Sequence, residues 1–138
     1  NLITLDNLRK NIYMAVKTIK IDKQNLKVGY QDIELQIATP DFKKDILTDC
    51  YGQYIQRENV IQIQSDLTKL DEVNTVLHEL FHAIAYISGE TGDGGVLHGD
   101  SKEERLINSF TNYFVQVLRD NKWLLPYLQK NLLDKSNK

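Results

Sequence analysis

His78-Glu79-Leu80-Phe81-His82 is the stretch of the chain whose residue types and spacing are best suited to chemistry. In a helix, residues four apart lie on one face, one turn above each other. His78 and His82 can therefore turn their ring nitrogens to one tetrahedral metal ion. Glu79 sits about 100° further round and cannot reach the same ligand position. It can instead take a proton from a water on the metal. The spacing thus assigns two ligands and one general base, the parts of a metal-assisted hydrolysis. Two of the three histidines in the chain fall in this pentapeptide, which packing alone does not account for.

A catalytic zinc takes three protein ligands and keeps one position for water. A histidine six residues after His82, with a glycine three after it, would complete one arrangement, but Ser88 and Ala85 stand there. Glu103, Glu104 and His98 remain. Either glutamate can instead close a capping box at the start of the next helix, Glu103 behind Asp100 or Glu104 behind Ser101. Glu103 lies nearer the centre of that helix's apolar stripe. His98 sits in a glycine-rich loop, where it can be a ligand, a hydrogen-bond donor to a developing oxyanion, or a plain loop residue.

The motif needs a helix, and the sequence supplies one. Thr68 is placed to cap it, with Asp71 three residues on. Val73, Val76, Leu77, Leu80, Ile84 and Ile87 recur at helical spacing, and Gly89 is a good terminator. Residues 89–99 hold five of the seven glycines, so this loop is expected to be irregular and mobile. The next helix opens at Asp100 or Ser101 and carries Leu106, Ile107, Phe110, Phe114, Val117 and Leu118 as its expected buried face. A terminal helix follows around Trp123 to Leu133, with Pro126 near its first turn.

Before the motif the period changes to two. Leu26, Val28 and Tyr30 alternate, then Ile33, Leu35 and Ile37, as in a hairpin or one bent strand. Tyr51–Ile55 and Val60–Ile63 flank a turn at Arg57-Glu58-Asn59. Asp41 to Thr48 reads as a helical turn at most. At the N-terminus, Leu8, Ile12, Val16 and Ile19 predict an amphipathic helix from Asp6 to Ile21 with a solvated basic face. The expectation is a single α+β domain over 1–138: an N-terminal helix, a small mostly antiparallel sheet, the motif helix, a third-ligand helix and a C-terminal helix. The sheet edge around Val60 to Gln64 is expected to accept an extended peptide as an added strand.

Composition narrows the classes. The chain has 138 residues, 41% hydrophobic and 26% charged, ordinary values for a soluble globular domain. The net charge of −2, from 17 basic and 19 acidic residues, leaves no basic footprint for nucleic acid. No apolar run approaches the roughly 20 residues of a membrane span. The lone Cys50 excludes an intramolecular disulfide. The chain begins at Asn1 rather than Met and shows no secretion-signal pattern.

His78 to His82 followed by Glu104-Arg105-Leu106-Ile107-Asn108-Ser109-Phe110 resembles the gluzincin pattern. There the third-ligand glutamate is followed four residues later by Asp or Asn, which supports a histidine. More narrowly, Tyr51-Gly52, Val60 to Leu67, Thr75 to Ile84 and Val115 to Asn121 resemble small phage-type metallopeptidases, similar to ImmA/IrrE-like minimal gluzincins. The resemblance covers about 51–121. It implies a zinc-dependent endopeptidase on a zincin-like scaffold, acting on a protein or peptide in the cytoplasm of a bacterial host. His78, His82 and Glu104 would hold Zn²⁺, Glu79 would be the base, and no nucleic-acid or membrane partner is implied. The chain departs from the pattern in its long glycine-rich loop. There, His98-Gly99 looks like the third-histidine element of DNA-associated SprT-like proteases, although Lys102 replaces the aromatic that usually follows. Glu104 is therefore the expected third ligand, with Glu103 and His98 as alternatives. The rival functions are a non-catalytic zinc-stapled protein, for example with Glu104 and His98 both ligating, and a SprT-like DNA-associated protease with His98 as third ligand.

Overall fold

A computed structural model of the chain describes residue 4, residues 19–38 and residues 51–137. The expected N-terminal helix lies outside them except for residues 19–21, which are not helical, and the segment 41–48 lies wholly outside. The described elements are strands β1 (Asn25–Val28), β2 (Gln31–Ala38), β3 (Gly52–Ile55) and β4 (Val60–Gln64), then helices α1 (Lys69–Ile87), α2 (Asp100–Asp120) and α3 (Leu124–Leu132). A short 3₁₀ turn follows at Lys135–Asn137.

The four strands form one sheet in the order β1-β2-β4-β3. β1 and β2 form a hairpin, one of the two readings left open, with Val28 opposite Gln31 across a turn at Gly29–Tyr30 rather than a break at Gln31–Asp32. β3 and β4 form a second antiparallel pair, Gly52 opposite Ile63 and Ile55 opposite Val60. The two hairpins meet through β2 and β4, which run parallel, so the sheet is mixed. This order corrects the expected peptide-binding edge. Val60–Gln64 is an inner strand with partners on both sides, and β1 and β3 are the outer strands among the described residues. Alternating polarity predicts a half-wet strand equally well in either position, so the sequence pattern does not separate the two.

Ile33, Ile61, Ile63 and Ala83 are fully buried, with Leu35 beside them, and this core joins the sheet to α1. Thr68 caps α1 as expected: its hydroxyl accepts the Asp71 N–H at 3.1 Å and donates to the Asp71 carboxylate at 2.7 Å. The face that α1 lays on the sheet is the line Thr75, Glu79, Ala83, spaced four apart and all buried. Small residues there allow close approach. At Gly52 a Cβ would stand 2.7 Å from the Thr75 methyl and 2.8 Å from the Gln62 carbonyl, so β3 meets α1 only through a glycine. The expected stripe of larger residues falls beside this line. Val76 and Ile87 pack on the core, while Val73 and Ile84 stay exposed.

α2 runs antiparallel to α1. Asn74 donates to Asn112 at 3.1 Å near one end, Phe81 meets Phe114 edge-on at 5.9 Å, and His82 meets the first turn of α2 at the other end. The face α2 turns inward is Ile107, Thr111 and Val115. Leu106, Phe110, Phe114 and Val117, expected to be buried, are exposed among the described residues. No described helix is long and apolar enough to cross a membrane.

Candidate metal centre

The helical phase of α1 separates the motif into two faces. Glu79 belongs to the sheet-facing line and is buried. His78 and His82 lie on the adjacent line with Asn74 and face α2. Their Nε2 atoms are 3.0 Å apart. The Glu104 carboxylate closes the triangle, with Oε1 3.2 Å from His78 Nε2 and Oε2 3.1 Å from His82 Nε2. These three residues form a group of donors close enough to hold one metal ion. Three donors at about 2.0–2.1 Å from a tetrahedral zinc stand roughly 3.3 Å from one another, so the donor types and their spacing fit such an ion. Burial holds His78 below the usual imidazole range, with the Glu104 carboxylate opposing it and His82 adding to it. A neutral imidazole is the form that ligates a metal.

Glu79 is not one of these three donors. Burial pushes its carboxyl up from 4.5 to about 7, and the nearby Glu104 carboxylate adds to the rise. His82 and the main-chain N–H of Tyr54 pull it down. The contact with Tyr54 places β3 at the site. Gln64 N–H donates to the Tyr51 carbonyl at 2.7 Å, and antiparallel pairs alternate in the direction of their main-chain groups. With Tyr54 opposite Ile61, the main-chain groups of Tyr54 therefore point away from β4, along the outer edge of the sheet.

Neither expected capping box forms at α2. The N-cap is Gly99, with no side-chain cap. Glu104 is thereby free for the histidines. Glu103 turns to the other side of the second ring, its Oε1 2.6 Å from His82 Nδ1. It is not in the metal-competent group, and Asn108, the support position that the resemblance implied, is exposed. The signal for the placement of Glu103 was its position one turn before the buried Ile107.

His98 is also outside the group. Its Nδ1 faces the Thr91 carbonyl at 3.3 Å and its Nε2 lies 3.7 Å from Asp93, both within its own loop. That loop is closed on Glu90, whose carbonyl accepts from Leu97 N–H at 2.9 Å and whose carboxylate accepts from Val96 N–H at 3.2 Å. At Gly95 a Cβ would fall 2.1 Å from the Glu90 carbonyl oxygen, so the turn requires glycine there. The loop links the two helices that carry the donor atoms, and His98 is not among those donors.

Taken together, the site offers three metal donors from two helices, a buried carboxylate beside them with a raised pKa, and an outer strand alongside. Compared with protein-family models, curated proteins and solved structures, the chain matches none of them.

Proposed function

We propose that the protein is a zinc-dependent endopeptidase of gluzincin type, with His78, His82 and Glu104 as ligands and Glu79 as general base. The observation that supports it most is the triangle of two imidazole nitrogens and one carboxylate oxygen beside a buried carboxylate on the same helix. Two histidines and a glutamate are a donor set of catalytic zinc, which leaves one position for water. When bound, the ion would supply Lewis acidity, lowering the pKa of a water toward neutrality.

The residues of the chain do the rest. Glu79 accepts a proton from the attacking water and delivers it to the amine as the C–N bond breaks. In the metal-free protein, burial raises this carboxyl to about 7, and a carboxyl above its ordinary range is suited to both taking and returning a proton. An extended peptide along the outer edge of β3 would meet the Tyr54 carbonyl as a main-chain acceptor and lie next to Glu79. A protein or peptide is therefore the proposed substrate class.

The experiment is a proteolysis screen. Zinc-loaded full-length chain is incubated with an unfolded protein and a peptide library, and new termini are read by mass spectrometry. Cleavage by the wild type, reduced about 10²–10⁴-fold in Glu79→Gln with zinc retained, is the expected result. Cleavage undiminished in Glu79→Gln would overturn the role of Glu79, and no cleavage across the library would overturn the reading.

A further inference from the structure

Glu103 precedes the third ligand by one residue, so its side chain leaves α2 about 100° round from that of Glu104. Both nevertheless converge on one ring. Glu104 lies 3.1 Å from Nε2 of His82, and Glu103 lies 2.6 Å from Nδ1 of the same residue. A neutral imidazole carries its proton on one nitrogen and a lone pair on the other. An acceptor at Nδ1 keeps the proton there and leaves the Nε2 lone pair facing His78 and Glu104.

We propose that Glu103 is a positioning residue of the metal centre, holding His82 in the Nδ1–H tautomer and in the ring orientation that ligation through Nε2 requires. The inference rests on the metal reading given above. Three observations support it. Both side chains are largely buried, at 17% and 18% exposure, which shields the contact from water. Glu103 is not spent on capping, because α2 has no side-chain cap. The two histidines also differ: among the described residues the polar contacts of His78 are made through Nε2, so only His82 is gripped from behind.

The test measures zinc affinity of the full chain by competition with a chromophoric chelator, and the visible spectrum of the cobalt-substituted protein. Glu103→Ala should bind zinc about 10–100-fold more weakly and shift the cobalt band. Glu103→Gln, whose amide oxygen still accepts the Nδ1 proton, should keep the band and lose less affinity. Asn108→Ala should change neither. Zinc bound as tightly by Glu103→Ala as by wild type, with the same cobalt band, would overturn the proposal, as would the loss appearing in Asn108→Ala. Should Glu103→Ala fail to fold, the side-chain ¹⁵N resonances of His82 in the metal-free wild type decide the matter. A proton on Nδ1 supports the role, and a bare Nδ1 overturns it. A wild type that takes up no zinc would remove the metal reading and this role together. Equal zinc binding by wild type and Glu103→Ala would remove only the role of Glu103.

Discussion

Glu79 links the chemistry of the site to its stability. In the metal-free protein its carboxyl holds a proton up to about pH 7, whereas an unfolded chain gives it up near 4.5. Between these values the folded state binds more protons, so folding stability falls as pH rises. The stabilisation is complete below about 4.5 and lost above about 7. Glu79→Gln is neutral throughout and escapes this loss. With chelator present it should be more stable than wild type at pH 8, by up to about 3 kcal/mol, with the gap closing toward pH 4.5. Urea unfolding across this range measures it, and a gap independent of pH would contradict the burial argument. The proposed ligands contrast with their neighbours in how far they could be read. His78, His82 and Glu79 follow from helix periodicity alone, so their faces were legible. The different placements of Glu103 and Glu104 were not, because facing Nδ1 of His82, facing the two Nε2 atoms and capping the helix differ only by where α2 sits against α1. That is a tertiary distance with no local signature.

The elements were legible wherever local chemistry decides. The second hairpin, the Thr68 cap, the stop at Gly89 and the start of α3 near Pro126 follow from turn and capping residues, whereas the first pair of strands read equally as a hairpin or one bent strand. Helix phase was less legible. The sheet selected the small residues Thr75 and Ala83 of α1 rather than the larger apolar stripe, because close approach to β3 matters more than side-chain size there. The same argument predicts that Gly52→Ala destabilises the protein. Its Cβ would press on the Thr75 methyl and the Gln62 carbonyl, and overpacking of this kind costs about 1–3 kcal/mol. Thr68→Ala should cost about 0.5–2 kcal/mol through the lost cap, with zinc affinity unchanged. Thermal melts of the two variants with and without chelator check both outcomes. Zinc affinity falling in Thr68→Ala would mean that the start of α1 is coupled to the site.

At the scale of the molecule, the sheet order was the least legible feature. Inserting β4 between β2 and β3 depends on long-range pairing, and this is what moved the free edge from Val60–Gln64 to β3. The donor triangle joins α1 to α2 across the 88–99 loop, so a bound ion would act on the fold as a cross-link between helices. An ion that binds only the folded state stabilises it by about 4 kcal/mol at a thousandfold excess over its dissociation constant. Chelation should therefore lower the melting temperature of wild type and leave that of His78→Ala unmoved; calorimetry with and without chelator reads this. The most direct test is metal content. Wild type and Glu104→Ala are equilibrated with excess zinc, freed of unbound metal and measured by elemental analysis. About one zinc per wild-type chain, and little in Glu104→Ala, is the predicted result. A wild type without zinc, or a Glu104→Ala variant that keeps it, would contradict the account.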